Sequence, residues 1–128
     1  MRAQAFFDSV PTNPAVMSNG AEPAGVKRAR GFIHQHFAEK ISLSAVAHAA
    51  GISPGHLSEK FKQITGLNFV EYVGRVRFHQ ACKRLQHDEA SISHIAFEVG
   101  FQSLSQFNRV FKRLSGKSPT AYRLTMRR

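Results

Sequence analysis

The 128-residue sequence is poor in several residue types, and each shortage excludes a class of protein. Its single cysteine, Cys82, cannot form an internal disulfide, which is expected of a protein in a reducing cytoplasm. No run of about 18 apolar residues is present, so the sequence predicts no membrane-spanning helix. The first 20 residues lack a central apolar stretch and do not resemble a secretory signal. These absences predict a compact, soluble, intracellular protein of about one domain.

Acidic residues are also scarce, and the resulting charge predicts a polyanionic partner. Eight Asp and Glu stand against 18 Lys and Arg, which gives a formal net charge of +10. From Phe101 onward no acidic residue occurs, and the basic residues there are Arg109, Lys112, Arg113, Lys117, Arg123, Arg127 and Arg128. A merely solvated basic surface is one alternative interpretation, and a membrane surface is a weaker one because the Phe residues recur at core spacing. We expect double-stranded DNA as the partner, with no membrane, no cofactor and no metal ion.

Apolar residues recur at helical spacing from residue 26 onward, and no segment alternates with the period of two that a strand needs. Ser or Asn at helix starts and Gly at helix ends divide the chain. The sequence therefore predicts an all-α fold of seven helices, with two helix-turn-helix subdomains joined by a long linker helix. The expected parts are a flexible N-terminal arm (1–25), a DNA-binding domain (26–124) that contains a first helix-turn-helix (42–66), a linker helix (69–87) and a second helix-turn-helix (91–116), a last short helical turn through Tyr122, and a basic tail (125–128).

An internal repeat supports this division. Residues 43–52 align with 92–101 at an offset of 49, and the following helices align at an offset of 50. Each copy is a short helix, a glycine turn and a second capped helix, which is the pattern of a helix-turn-helix. A linker helix of about 18 residues is about 27 Å long at about 1.5 Å per residue. Two recognition helices so spaced are expected to enter successive major grooves, about 34 Å apart.

The sequence resembles the AraC/XylS family of bacterial transcriptional regulators. The resemblance lies in ISHIAFEVGFQSLSQFNRVFKRLSGKSPTAYR (92–123) and in GISPGHLSEKFK (51–62), and it extends over about residues 26–124. It implies a seven-helix DNA-binding domain and activation or repression at promoters, usually through contact with RNA polymerase. It also implies either a short stand-alone regulator or the DNA-binding part of a larger effector-sensing protein, located in the bacterial cytoplasm at the nucleoid.

The outward faces of the two recognition helices supply the candidate site residues. Candidates for base contact are Gly55, His56, Ser58, Glu59, Ser105, Gln106, Asn108 and Arg109. Candidates for contact with the DNA backbone are Ser53, Lys62, Ser103, Lys112, Lys117, Ser118 and Arg123. The base-contact candidates of the second recognition helix include Arg109, whereas those of the first include the carboxylate of Glu59. We therefore expect the first helix-turn-helix to contribute less to base recognition.

Three of these residues have open alternatives. Arg109 is the leading candidate for base reading, because a guanidinium can donate to guanine O6 and N7, and a phosphate contact or a surface ion pair is its alternative. Gln106 is suited to read adenine or to complete a capping box with Ser103. Glu59 is suited to accept from cytosine or to pair with the nearby Lys62 or Gln63.

Other site chemistries find little support in the sequence. His79 and Cys82 lie three residues apart on the linker helix, but no second cysteine or carboxylate cluster accompanies them to complete a zinc site. No catalytic triad, phosphate loop or carboxylate pair occurs at meaningful spacing, so we expect no enzymatic activity. The competing interpretations are a low-specificity architectural DNA binder and a helical adaptor for an acidic protein. As a regulator, the chain is expected to bind its DNA as a monomer.

Overall fold

A computed structural model describes residues 23–127, which form seven helices and no strand. The expected all-α fold with a long central helix is confirmed. The helices are α1 (Ala24–His36), α2 (Leu43–Ala50), α3 (Pro54–Thr65), α4 (Phe69–His87), α5 (Ile92–Glu98), α6 (Leu104–Ser115) and α7 (Pro119–Met126). Of these helices, none combines the length and apolar character required to cross a membrane.

Side-chain caps define where most of the helices begin. An oxygen of the N-cap side chain accepts the backbone N–H three residues later, and the caps are Ser42, Ser53, Asn68, Ser91, Ser103 and Ser118. Each bond satisfies a donor that the first helical turn leaves without an intrahelical partner. Gly66 and Gly116 end the two recognition helices, α3 and α6, in the left-handed conformation, with φ of 77° and 80°. The helix boundaries therefore follow residues that the sequence displays openly.

Both ends of the helical region differ from the predicted boundaries. α1 begins at Ala24, inside the segment expected to be an arm, and residues 1–22 of that segment lie outside the described residues. Gly25 lies in the first turn against Ile52, and a Cβ atom at Gly25 would come within 3.1 Å of the Ile52 side chain. The first turn of α1 therefore lies close to the α2–α3 turn.

The C-terminal helix is longer than predicted. α7 continues to Met126 rather than ending near Tyr122, so only Arg127 and Arg128 of the expected basic tail lie beyond it. The extra turn has a tertiary cause, since Arg123 and Arg127 both donate to backbone carbonyl oxygens at the end of α4. These contacts hold the last turn of α7 against the linker helix.

Two separate hydrophobic cores lie along α4. The first core contains the inner faces of α1, α2 and α3 with the N-terminal half of α4, and its largest fully buried residues are Tyr72, Phe61, Ile33, Leu57 and Ile64. The second core contains α5, α6 and α7 with the C-terminal half of α4, and it is built around Phe78, Leu85, Ile95, Phe107 and Phe111. The half-buried side chain of Phe37 packs against both cores. α4 is therefore a spine shared by two small subdomains.

A pair of hydroxyls, buried at Thr65 and half-buried at Ser115, repeats the symmetry of the two subdomains. The Thr65 hydroxyl lies 2.8 Å from the Phe61 carbonyl oxygen and accepts the Leu67 N–H at 3.1 Å. Fifty residues later, the Ser115 hydroxyl lies 2.8 Å from the Phe111 carbonyl oxygen and accepts the N–H of residue 117 at 3.1 Å. Each hydroxyl satisfies backbone groups at the end of a recognition helix, which fixes the turn that follows.

Candidate nucleic-acid interface

The core stripes of α3 and α6 decide which side chains remain available at the surface. Leu57, Phe61 and Ile64 are buried on α3, and Phe107 and Phe111 are buried on α6. The opposite faces are open to solvent, and the exposed predicted base contacts are Gly55, His56, Ser58, Glu59, Ser105, Asn108 and Arg109. Seven of the eight candidates are therefore accessible to a ligand.

Gln106, the eighth candidate, is half-buried and acts as a helix cap. Its side-chain oxygen accepts the Gln102 N–H at 3.0 Å, while its own N–H donates to the Ser103 hydroxyl at 3.0 Å. The predicted capping box is thus present in a modified form, with the return bond to the residue before the N-cap. The carboxamide is held beside the turn that precedes α6, which favours the capping role of Gln106 over base reading.

Arg109 and Glu59 lie at equivalent positions of the two helices and carry opposite charges. In the part of the chain that the structure describes, no ion pair or hydrogen bond engages either side chain. The pairing of Glu59 with Lys62 or Gln63 does not occur there. Both head groups project from the exposed faces, so the two helices present unlike charges to a ligand.

A groove beside α6 brings three predicted site residues together. Asn108, Lys112 and Ser118 all line it, with the N-terminus of α7 forming the other wall. The Lys112 ammonium donates to the Gly116 carbonyl at 3.2 Å, and Lys117 donates to the Thr125 hydroxyl at 3.3 Å. Both lysines remain exposed and, with the cap at Ser118, form a positive rim suited to phosphate oxygens.

On α3, fewer predicted contacts to the DNA backbone lie at the surface than on α6 and α7. Lys62 and the cap Ser53 are both exposed, at opposite ends of the helix. The Ser53 hydroxyl accepts the His56 N–H at 3.2 Å, as the Ser103 hydroxyl does for its own helix. The predicted contacts to the DNA backbone on α3 and α6 therefore lie at the protein surface.

Arg123 does not lie where a phosphate contact was expected. Its half-buried guanidinium donates to the carbonyl oxygens of Leu85 (3.3 Å), Asp88 (3.0 Å) and Ala90 (2.8 Å). These acceptors lie at and just beyond the C-terminus of α4, where carbonyl groups lack intrahelical partners and the helix dipole favours a cation. The prediction for Arg123 is corrected: its head group faces inward and caps the linker helix.

Other arginines have similar structural roles, which sequence analysis missed. Arg28 of α1 donates twice to the Ala50 carbonyl at the end of α2, at 3.0 and 2.7 Å. Arg84 pairs with Asp88 at 2.6 Å and with Glu98 at 3.0 Å. The Arg84–Asp88 pair has the i,i+4 spacing that a helix sequence displays. The acceptor of Arg28 lies 22 residues away, and no local signal identifies it. A count of positive charges therefore overstates the charge that is free for a polyanion.

Arg123 and Lys112 give matched substitutions that separate these roles. We expect Arg123→Ala to lower the free energy of unfolding by about 2 kcal/mol, because carbonyl groups at the end of α4 lose a charged donor. Lys112→Ala should leave stability within about 0.5 kcal/mol and lower the salt slope of DNA binding by about one. Urea denaturation and binding titrations across salt concentrations measure the two quantities. A reduced salt slope with unchanged stability for Arg123→Ala would contradict the assignment.

His79 and Cys82 are both buried in the linker helix. Burial lowers the pKa of His79 to about 4, with a smaller effect from Lys83. Burial raises the pKa of the Cys82 thiol to about 11. Among residues 23–127, no group of three or more His, Cys, Asp or Glu side chains is arranged to hold a metal ion. The two residues belong to the protein interior rather than to a surface site.

Two capped helical hairpins, each presenting an exposed recognition helix from a shared central helix, define a double helix-turn-helix protein. A family model described as a helix-turn-helix domain matches residues 46–125, which is more than half of the chain. The chain belongs to the AraC/XylS family of helix-turn-helix proteins, and the resemblance seen in the sequence is confirmed.

Curated relatives carry regulatory names. The chain is 37% identical over 92 residues to the HTH-type transcriptional activator RhaS of Escherichia fergusonii, covering 72% of this chain and 33% of that protein. It is 36% identical over 92 residues to the bifunctional transcriptional activator/DNA repair enzyme AdaA of Bacillus subtilis, covering 72% of this chain and 44% of that protein. The chain thus spans less than half the length of these relatives.

Solved structures agree with the fold. The C-terminal domain of AraT, a response regulator from Geobacillus stearothermophilus, superposes with a TM-score of 0.77 at 34% identity, covering 81% of this chain and 87% of that one. The DNA-binding domain of AdpA, a global transcriptional factor solved in complex with a target DNA, gives a TM-score of 0.76 at 25% identity, covering 80% and 93%.

Proposed function

We propose that the protein is a sequence-specific DNA-binding transcriptional regulator whose α3 and α6 enter successive major grooves of one promoter site. The observation that carries this proposal is the repeated arrangement of a capped recognition helix with an exposed polar face, once at each end of α4. α4 has 19 residues, which gives a length of about 28 Å at about 1.5 Å per residue. This length is close to the distance between successive major grooves, about 34 Å.

The exposed side chains divide into two functional groups. Base reading is assigned to Ser105, Asn108 and Arg109 on α6 and, with fewer discriminating groups, to Gly55, His56, Ser58 and Glu59 on α3. Backbone contact is assigned to Ser53, Lys62, Ser103, Lys112, Lys117 and Ser118. A carboxylate at Glu59 is repelled by phosphate and accepts only from a base such as cytosine, so the first helix-turn-helix is the weaker reader.

The cellular setting follows from the same arrangement. One chain carries two recognition helices, so it binds DNA as a monomer where a single helix-turn-helix protein needs two subunits. One relative is named a transcriptional activator, and we extend the proposal to a contact with RNA polymerase in the bacterial cytoplasm, at the nucleoid. Two forms of regulator are compatible with this role, a short stand-alone one and the DNA-binding part of a larger effector-sensing protein, and both use the same two helices. Its role is binding and not catalysis.

A selection from a random pool of duplex DNA with the purified 128-residue protein tests the proposal. We expect enrichment of an asymmetric bipartite site of about 15–20 base pairs, with two blocks about one helical turn apart. A low-specificity architectural binder would enrich no motif and would bind all duplexes with an affinity set mainly by salt. An adaptor for an acidic protein would retain its function when Arg109 is replaced. Either of those two results would refute the proposed function.

A further inference from the structure

The two subdomains have few direct contacts with each other. The extensive helix–helix contacts of α5, α6 and α7 are among themselves and with α4, and those of α1, α2 and α3 likewise stay within the first subdomain and α4. The two buried cores are separate, and Phe37 in the loop after α1 is the half-buried side chain that packs against both. The relative orientation of α3 and α6 therefore depends on α4 and on the groups around Phe37.

Arg77, at the middle of α4, connects that loop to the linker helix. Its Nε donates to the Phe37 carbonyl oxygen at 2.8 Å, and one terminal nitrogen donates to the Glu39 carbonyl oxygen at 3.0 Å. The two bonds use the rigid fork of the guanidinium, which a lysine cannot reproduce. Burial lowers the pKa of Arg77, which agrees with a half-buried side chain beside the loop after α1. We call these two bonds the Arg77 bridge.

The turn of the second helix-turn-helix closes over the Arg77 bridge. Gly100 has φ of 107°, and a Cβ atom there would lie 2.5 Å from the Phe37 carbonyl oxygen and 2.6 Å from Arg77 Nε. Any side chain at this position would displace the loop or the arginine. Three parts of the chain therefore meet at the bridge: the loop after α1, the middle of α4, and the Gly100 turn that connects α5 to α6.

The repeat shows that this contact is particular to the second subdomain. Arg28 of α1 precedes Arg77 by the repeat offset of 49, and it donates to Ala50 within its own subdomain. Arg77 instead donates to the opposite subdomain. An arginine of α1 therefore caps a helix of its own subdomain, whereas the arginine 49 residues later, on α4, joins the two subdomains.

We propose that Arg77 and Gly100 are positioning residues that fix the orientation of α6 relative to α3 and thereby set the spacing of the two DNA half-sites. This inference rests on the proposed function for its DNA consequence, whereas the orientation itself is a property of the free protein. One inserted base pair moves a half-site by about 3.4 Å and rotates it by about 35° around the duplex. A protein whose α3 and α6 have a fixed relative orientation cannot contact both half-sites after that change. A protein in which this orientation varies can contact both.

The first test measures discrimination of spacing. Duplexes carrying the selected site, with one base pair added or removed between the blocks, are titrated with the wild type and with Arg77→Lys, Gly100→Ala, Arg84→Lys and Gly116→Ala. We expect the wild type and both controls to lose about tenfold in affinity on the altered spacing, the cost of about one mismatched contact. Arg77→Lys and Gly100→Ala should lose threefold or less, which is about 0.65 kcal/mol.

The controls match the variants in chemistry. Arg84→Lys makes the same exchange on the same helix, but its partners Asp88 and Glu98 lie outside the first subdomain. Gly116→Ala places alanine at a similarly positive φ, where no neighbouring atom lies within 4 Å of the added Cβ. Net charge is therefore held constant in the arginine pair, and both glycine variants place alanine at a positive φ, 107° and 80°. The bridge variants alter the contact between subdomains, and the controls leave it in place.

The second test needs no DNA. Spin labels at the exposed positions Ala49 on α2 and Ala121 on α7 report the distance between subdomains by pulsed electron spin resonance. Buried Cys82 is left in place, and its labelling is checked in the protein without added cysteines. We expect one narrow distance distribution for the wild type and both controls, and a distribution at least twice as broad for Arg77→Lys and Gly100→Ala.

The outcomes separate the inference from the proposed function. Absence of any spacing preference in the wild type would contradict the proposed function, whereas the spin-label distances would still decide on the bridge. Unchanged distances and unchanged spacing discrimination in both bridge variants would overturn the inference. So would loss of folding in both bridge variants while both controls fold, since the contact would then stabilise the fold rather than orient its parts.

Discussion

Replacing Arg109 with alanine is expected to weaken binding to the selected DNA site by about 10- to 100-fold while changing binding to unrelated duplexes far less. Arg109 lies on the exposed face of α6, opposite the buried Phe107 and Phe111, and nothing within residues 23–127 holds its guanidinium by an ion pair or hydrogen bond. A free guanidinium can donate to both O6 and N7 of guanine. The expected loss falls on one base position, which a competition assay with single-base variants of the site identifies.

Arg113→Ala is the matched control for this prediction. Arg113 is an exposed arginine on the same helix, but it lies on the side facing α4, 3.9 Å from the Glu71 carboxylate. Its removal changes the net charge equally and should reduce affinity for all sequences to a similar, small extent. A loss of affinity that is uniform across sequences for Arg109→Ala would show that Arg109 contacts phosphate instead.

Glu59→Ala extends the comparison to α3. We expect it to relax specificity less than Arg109→Ala does, because α3 presents fewer discriminating groups. Removal of a carboxylate near phosphates should also raise affinity for nonspecific duplexes. A larger loss of specificity from Glu59→Ala than from Arg109→Ala would reverse the assignment of the weaker reader.

Phe111→Ala is expected to lower the free energy of unfolding by about 3–5 kcal/mol. Phe111 is fully buried, and its ring lies 4.9 Å from Phe78, 5.4 Å from Phe107 and 5.3 Å from Tyr122, measured between ring centroids. It therefore joins α4, α6 and α7. Small domains are stable by about 5–15 kcal/mol in total, so this loss is a large fraction of their stability. Chemical denaturation measures it.

The two separate cores make a second consequence of this substitution measurable. We expect amide hydrogen exchange to accelerate first in α5, α6 and α7, while the amides of α2 and α3 keep more of their protection. Phe97→Ala is the control, because the Phe97 side chain is 53% exposed and its removal should cost less than about 1 kcal/mol. Equal loss of protection in both subdomains would show that they unfold as one cooperative unit.

Local sequence signals were sufficient for the helices and for the repeat. Serine or asparagine N-caps and glycine ends are short-range features, and each satisfies backbone groups a few residues away. Apolar spacing likewise identified Leu57, Phe61, Phe107 and Phe111 as inward-facing, which left the exposed reading faces by exclusion. The outer boundaries were less accurate, because the last turn of α7 is held by contacts with distant residues.

Local sequence signals did not distinguish a surface arginine from one that caps a distant helix. Arg109 and Arg123 are both arginines in an acid-free segment, yet one is exposed and the other donates to three carbonyl groups 33 to 38 residues away. The difference depends on which helix end lies beside each side chain, and this is set by the packing of α7 on α4. Sequence position alone offered no distinction between them.

The amino-acid sequence by itself determined the seven helices, their caps, the duplicated helical hairpin and the exposed faces of α3 and α6, because hydrogen bonds and apolar spacing over a few residues specify all of these. Only the tertiary structure decided which cations remain free and how the two hairpins are oriented. The packing of α7 on α4 decides the first property, and the loop after α1, Arg77 and the Gly100 turn meet where the two hairpins adjoin. Contacts across some 20 to 60 residues are specified by the packing of the whole chain rather than by any segment of it.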